Sequence, residues 1–296
     1  MKDSYLKDPR KMYYSKKFKD QEQDTPALQD KMFPKPDCGE TSYKGCNKLE
    51  NRNALITGGD SGIGRAAAIA YAREGANVAI QFYPGEEKDA EEVKEYIEQA
   101  GRKALLLPYD LRDDNAATEI VEKTVEEFGK LDILVLNAAQ QIAIESLEEL
   151  TMEQVHDSFK INIISMFESV KAAEKYLEPG SAIITTTSVQ SFEPSASLLD
   201  YASTNGAITT FTKGLSEYFA PEGIRANSIA PGPIWTPLQL DDGKLDGEIP
   251  DFGQGSLMGR AGQPVELAPV YVLLASSEAS YITSQIYGIT GGDPII

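Results

Sequence analysis

Ser188 and Tyr201 stand thirteen residues apart, the serine closing an apolar run and the tyrosine in the helix-patterned stretch that follows. A phenol can exchange a proton with a reacting oxygen if its pKa, about 10 when free, is brought towards neutrality. A serine hydroxyl can hold and polarise the same oxygen. The cation that lowers such a phenol should sit one helical turn on, because residues i and i+4 share a helix face. Here that segment reads Tyr201-Ala202-Ser203-Thr204-Asn205. An asparagine amide donates a hydrogen bond but carries no charge, so the tyrosine pKa is expected to climb back by about one to three units. Lys213 lies eight residues beyond Asn205, about 12 Å along a helix axis and too far to substitute. Taken singly, Ser188 and Tyr201 are also ordinary strand-end and helix residues.

A second constellation makes the pair more than ordinary. Gly58-Gly59-Asp60-Ser61-Gly62-Ile63-Gly64 follows the apolar run Ala54–Ile56 and opens a helical pattern. Glycines let the backbone turn tightly and approach a pyrophosphate, and the helix that starts there offers its unpaired N–H groups and positive dipole end to the phosphates. A glycine pattern alone is weak; at a first strand–helix junction it has the context that gives it meaning.

The elements that must position these groups alternate. Apolar β-type runs at Ala54–Ile56, Val78–Phe82, Ala104–Leu107, Ile133–Leu136, Ala182–Thr186, Arg225–Ile229 and Gln285–Ile289 are separated by helical patterns. One of these is Glu86–Ala100, with Ala90, Val93, Ile97 and Ala100 on one face. Strands alternating with helices imply parallel strands and right-handed crossovers. The expected fold is α/β, a single-domain Rossmann-type doubly wound parallel sheet of about seven strands with helices on both faces, over residues 49–296. Residues 1–48 show no period and read as an extended arm on the domain or on a partner subunit, with disorder as the alternative. Tyr5, Tyr13, Tyr14, Phe18, Phe33 and Tyr43 favour docking, since disordered segments are poor in aromatics. The irregular, glycine- and acid-rich stretch 233–263 reads as a substrate lid.

Composition narrows the rest. Of 296 residues 41% are hydrophobic and 25% charged, and the net charge is −18. Residues 1–50 hold 11 basic and 9 acidic side chains, the remaining 246 hold 17 and 37, so the acidity belongs to the main body. Such a surface repels nucleic-acid phosphates and anionic lipid. No apolar run approaches the roughly 20 residues of a membrane helix, and the first twenty residues have no secretory core. Cys38 and Cys46 fit no metal or redox spacing and read as free thiols in a reducing cytoplasm. His156 is the only histidine, so a metal site or a Ser-His-Asp triad lacks its usual parts.

With these residues in place, the chain from about Lys48 to Gly292 resembles the short-chain dehydrogenase/reductase family, and is similar to its N-terminally extended bacterial subgroup of general-stress and aldehyde-reductase-like proteins. The family's cofactor loop, TGxxxGxG, is matched by Thr57-Gly58-x3-Gly62-x-Gly64, with Asp60, Ser61 and Ile63 between. Further motifs match in order: Asp110-Leu111 for the adenine, Asn137-Ala138-Ala139 where the family has NNAG, Asn162 for the proton relay, and Pro231-Gly232-Pro233-Ile234-Trp235-Thr236 for the loop over the nicotinamide, with Ile234 and Thr236 near its carboxamide. The resemblance implies Ser188, Tyr201 and Asn162 as catalytic residues, with Asn205 where the family has a lysine that also binds the nicotinamide ribose. Asn205 admits three readings: a substitution introduced to trap or alter an enzyme, a natural variant of weak or shifted activity, or a protein that binds a dinucleotide without turnover.

The resemblance also implies NAD or NADP as cofactor and commonly a homotetramer. The second strand ends in Gln81-Phe82-Tyr83, without the acid that grips a ribose 2′-hydroxyl, and this leans towards NADP. Arg65 could help by folding back, though a helix-surface role is the plainer expectation. Gln140, Gln141, Gln190, Phe192 and Trp235 are expected to bound a pocket for a carbonyl compound or alcohol. The apolar tail Pro294-Ile295-Ile296 would suit burial at a subunit contact.

Overall fold

The seven apolar runs become seven parallel strands. In the computed structural model, which describes residues 6–295, they are β1 Asn53–Thr57, β2 Asn77–Phe82, β3 Ala104–Pro108, β4 Ile133–Leu136, β5 Ala182–Thr186, β6 Arg225–Pro231 and β7 Ile286–Ile289. They form one sheet in the order β3-β2-β1-β4-β5-β6-β7, every pair parallel. The strand order reverses between β1 and β4, so a crevice opens beyond their carboxyl ends, where ligands of such sheets bind.

Side-chain alternation along the strands builds a core on each face. Ala54, Ile56, Val78, Ile80, Ile133 and Val135 point to one layer, which holds α1 (Gly62–Arg73), α2 (Glu87–Gln99) and α7 (Ala268–Ala275). Leu55, Ala79, Leu134 and Leu136 point to the other. That layer holds α3 (Ala116–Phe128), α5 (Ser165–Ala173) and α6 (Leu199–Phe219), while α4 (Met152–Phe159) runs beside α6. Buried alanines at 66, 67, 68, 70 and 72 let α1 approach the sheet closely. Between α4 and α5 the helix widens into a π turn, Lys160–Ile164, a deformation that recurs at functional sites.

A third core lies outside the sheet. Phe18, Ala27 and Met32 of the arm pack with Trp235, Leu240, Ile249, Phe252 and Ala261 of the 233–263 segment. The rings of Phe18 and Trp235 stack 3.9 Å apart, and Trp235 Nε1 donates to the Pro34 carbonyl at 2.8 Å. Tyr14 packs on Phe18, Tyr13 lies against the Arg260 guanidinium, and Tyr43 donates to Glu74 at 2.6 Å. Phe33 is exposed, and Tyr5 and Ile296 lie outside the described residues. Cys38 and Cys46 are free thiols, the first buried and the second exposed.

Arg65 departs from both expectations for it. Its side chain is wholly buried, paired with Glu40 and Glu92 at 3.0 Å each, and lies near the Tyr96 ring. It ties α1 to the arm and to α2 and takes no part in the crevice.

Candidate active site

The crevice is a cavity of about 790 Å³, within the size range of small-molecule and cofactor sites. Its floor is the glycine turn. Gly58 and Gly62 have φ of +61° and +50°, a left-handed backbone that side chains rarely adopt. A Cβ on Gly62 would come within 2.9 Å of Thr236, and one on Gly64 within 1.9 Å of the Gly58 carbonyl. Gly64 does not line the cavity; it lets α1 close onto the turn. Ser61, the N-cap of α1, makes no side-chain cap, so the Ile63 and Gly64 N–H groups lack the partner a cap would supply.

Neighbouring strand ends brace the turn. Asn137 Nδ2 donates to the carbonyls of Thr57 (3.2 Å) and Gly58 (3.1 Å), while Thr57 Oγ1 accepts from the backbone of Asn137 and Ala138. Gln81 Oε1 accepts from Gly58 N at 3.0 Å. Asp60, Ser61, Ile63, Tyr83, Asp110, Leu111 and Ala139 line the same cavity, as do Pro231, Gly232, Ile234 and Thr236. A left-handed glycine turn that lines the cavity where α1 begins fits a diphosphate. The Asp60 Oδ2, buried and without a partner, marks a polar corner that the protein alone does not satisfy. Among the described residues no group of three or more His, Cys, Asp or Glu could hold a metal ion.

Two carboxyls in that corner bind protons more tightly than usual. Burial raises Asp60, with the Asp89 charge adding to it; burial raises Glu86, with Asp60 adding. Glu86 also accepts from Tyr83 N at 3.0 Å. Neither was legible as part of an acidic corner, because Glu86 precedes α2 and does not end β2.

Ser188, Tyr201, Asn205 and Asn162 also line the cavity. Ser188 caps a 3₁₀ turn, accepting from Gln190 N at 3.2 Å. Asn162 sits in the π turn; its Oδ1 accepts from Gln140 N (2.7 Å) and its Nδ2 donates to the Gln140 carbonyl (2.9 Å) and to Thr204 Oγ1 (3.1 Å). Burial pushes the Tyr201 phenol above its ordinary range; hydrogen bonds with the Ser188 and Asn205 side chains oppose this without cancelling it, and no charged group acts on it. Asn205 is buried, with Nδ2 donating to the Tyr201 backbone carbonyl at 2.8 Å.

The wall expected for substrate is only partly where the sequence puts it. Gln140, Gln141 and Gln190 line the cavity. Gln190 spends both ends of its amide on Ser195, and Gln141 donates to the Gly243 carbonyl. Phe192 and Trp235 do not line it. Trp235 is fully buried against Phe18, because the arm covers its apolar rings with a stacking partner while the Pro34 carbonyl satisfies Nε1. In its place the arm contributes Thr25, Pro26 and Ala27 to the wall. The arm's aromatics signalled docking; nothing in its sequence signalled that it borders this cavity.

A family model described as enoyl-(acyl carrier protein) reductase matches residues 58–293. The uncharacterized oxidoreductase YhxD of Bacillus subtilis is 56% identical over 99% of both chains, arm included. A chloroplastic NADPH-dependent aldehyde reductase of Arabidopsis thaliana is 42% identical over 90% of this chain and 94% of its own. A solved short-chain dehydrogenase from Burkholderia cenocepacia in complex with NADP superposes with a TM-score of 0.77 at 29% identity, covering 83% of this chain and 98% of that one. The chain belongs to the short-chain dehydrogenase/reductase family of oxidoreductases.

Within this short-chain dehydrogenase/reductase, two features depart from the pattern the motifs imply. The position one turn after the tyrosine is the neutral Asn205, and the cavity's two cations, Arg112 and Lys244, do not replace its charge at the phenol. Arg112 is held by Asp110 at 2.7 Å and Asp157 at 3.2 Å. The other departure is the arm itself, which lies outside the residues 58–293 that the family model matches.

Proposed function

We propose that this protein interconverts an aldehyde or ketone and the corresponding alcohol, with NADP or NAD as coenzyme. The observation that carries the reading is the convergence of Ser188, Tyr201 and Asn205 on the cavity whose floor is the glycine turn. The turn at Gly58–Gly64 would hold the diphosphate, Asn137 to Ala139 and Asn205 the ribose side, and Ile234 with Thr236 the carboxamide. A bound nicotinamide supplies or accepts the hydride. Ser188 Oγ then holds the substrate oxygen and the Tyr201 hydroxyl exchanges a proton with it, while Asn162 anchors the relay behind them. The buried phenol stays protonated at neutral pH, which suits proton donation during carbonyl reduction and leaves little phenolate for alcohol oxidation. Relatives and fold neighbours described with NADPH or NADP support the phosphorylated coenzyme, as does the absence of an acid at the end of β2.

We read residues 49–296 as the catalytic domain, 233–263 as its substrate lid and 1–48 as an arm bound to both. Ile164 and Phe167 are exposed, and the Phe167 ring lies 4.1 Å from that of Phe211, tilted by 41°. Such an apolar face suits the homotetramer we propose. Among the described residues no helix is long and apolar enough to cross a membrane, and two free thiols suit a cytoplasmic setting.

Asn205 favours a second reading, a protein that binds the dinucleotide without turnover. Both readings require coenzyme binding, so turnover separates them. Asn205→Lys and the unaltered chain are assayed for NAD(P)H oxidation against a panel of carbonyl compounds. The enzyme reading expects a gain on restoring lysine, larger at pH 7 than at pH 10; a lack of turnover in both proteins across the panel leaves the binding reading.

A further inference from the structure

We propose that the N-terminal arm is a working part of the dinucleotide site and that Gln29 is a positioning residue for the glycine turn. The inference rests on the reading that this turn holds a dinucleotide.

Gln29 is wholly buried, and its Oε1 accepts from Gly62 N at 2.8 Å. Gly62 is the first residue of α1 and holds the left-handed φ on which the turn depends. Helix starts are ordinarily capped by the side chain of the residue just before them; here Ser61 makes no such bond. The side-chain carbonyl of a residue 33 positions earlier in the chain takes the first N–H of the helix, that of Gly62. One first-turn donor is thereby tied down from behind, and the turn is fixed with its remaining donors free to meet a phosphate.

Gln29 is itself held. Its backbone N–H donates to Asp89 Oδ2 at 2.6 Å, and Asp30 N donates to Asp89 Oδ1 at 3.3 Å. Asp89 is buried in the first turn of α2, so the arm links the glycine turn to the helix that follows β2. Packing alone does not account for this residue: Gln29 Nε2 is buried without a partner, a desolvation cost that methionine or leucine would not carry. Just upstream, Thr25, Pro26 and Ala27 form cavity wall, and Thr25 Oγ1 donates to Asp241 Oδ1 at 2.5 Å. The arm thus spans from the 233–263 segment to the phosphate-binding turn along one rim.

The test measures coenzyme binding directly, by calorimetric titration of the full-length protein with NADH and with NADPH. Gln29→Met keeps the bulk and removes the acceptor. Its dissociation constant is expected to rise at least tenfold for the coenzyme the unaltered protein prefers. Where turnover is measurable, KM for coenzyme rises in step and kcat at saturation stays within about threefold. Thr25→Val, at the rim and outside the core, is the second variant and should weaken binding about threefold even if Gln29→Met folds poorly. Phe33→Ala, on the exposed side of the arm, should leave binding unchanged. Binding within twofold of the unaltered protein in both Gln29→Met and Thr25→Val overturns the arm's role and leaves the dinucleotide reading standing. An unaltered protein that binds neither coenzyme overturns both.

Discussion

The amide of Asn205 donates to the backbone carbonyl of Tyr201, one turn back on the same helix, across 2.8 Å. A side chain held in this way is ordered but cannot carry charge to the phenol. Burial therefore decides the tyrosine's acidity, and decides it upwards. Because the raised pKa lies above 10, the phenol is protonated throughout the neutral range. Carbonyl reduction should be nearly flat from pH 6 to 9, whereas alcohol oxidation should keep rising through pH 10 without a plateau. Asn205→Lys should move the oxidation plateau down by about one to three units. Initial rates in both directions across pH 6–11 check this; an oxidation plateau near neutrality in the unaltered protein would show that some other group ionises the phenol.

The same residues show what the sequence could and could not tell. Strand patterning placed all seven strands within two residues of their ends, because strands buried on both faces need continuous apolar runs. The glycine turn was legible because a left-handed backbone needs residues such as Gly58 and Gly62. Trp235 and Arg65 were misplaced for one shared reason. Each is held in part by the arm, Trp235 by Phe18 and Pro34 and Arg65 by Glu40, and a segment without periodicity gives no hint of what it will touch. Gln29 was missed likewise, since a single glutamine in a polar stretch carries no pattern at all.

The arm's hold on the 233–263 segment centres on a ring pair. Phe18 is 4% exposed and stacks on a Trp235 that is fully buried. Phe18→Ala should cost about 3–5 kcal/mol of the stability of that third core. Because the main cores do not include these residues, the loss should fall on local opening of the arm more than on the global transition. Amide exchange is expected to accelerate at Phe18 and Gln23, whose backbone N–H groups bond Pro250 and Leu240, with β1 and β4 unchanged. Trp235 is the only tryptophan, so its emission should shift to the red in the same variant. Unchanged emission would mean that the indole is sheltered without Phe18.

Stability should also carry the mark of the acidic corner. Asp60 and Glu86 are both raised, burial being the main cause. Asp60 faces Asp89 and Arg65 besides Glu86, and Glu86 faces Asp60, Asp89 and Asp241. A group that holds its proton more tightly folded than unfolded stabilises fully below the unfolded pKa, about 4 here, and loses that contribution as pH rises through the folded value. Glu74, Glu92 and Asp110 are lowered despite burial, by the hydrogen bonds they accept; their contribution is present above about pH 4 and lost below it. The melting temperature of the coenzyme-free protein should therefore fall between pH 5 and 9, and Glu86→Gln should flatten that slope. A slope unchanged in Glu86→Gln would mean that the pair ionises freely in the folded state.

Charge also shapes how a coenzyme enters. Eight acidic side chains line the cavity against the two basic residues Arg112 and Lys244, and beside the proton-holding Asp60, Glu86 and Asp241 stand Asp110, Glu153, Asp157, Asp242 and Asp293. Both cations already have partners, Arg112 in Asp110 and Asp157 and Lys244 in Glu248 at 3.8 Å. A dinucleotide is itself an anion, so its long-range approach is repelled by the wall and by the −18 net charge. Added salt shortens the range of that repulsion, from about 10 Å at 0.1 M to about 3 Å at 1 M. Coenzyme affinity should hence strengthen as monovalent salt is raised from low to moderate concentration, the reverse of the usual trend for a phosphate ligand. The gain should be larger for NADPH than for NADH, because the extra 2′-phosphate carries more charge past the same wall, and Asp242→Asn should shrink that difference. Titrations of both coenzymes at 20, 100 and 300 mM salt decide the matter. Affinity that falls with salt for both would mean that the local N–H donors of α1 outweigh the acidic wall.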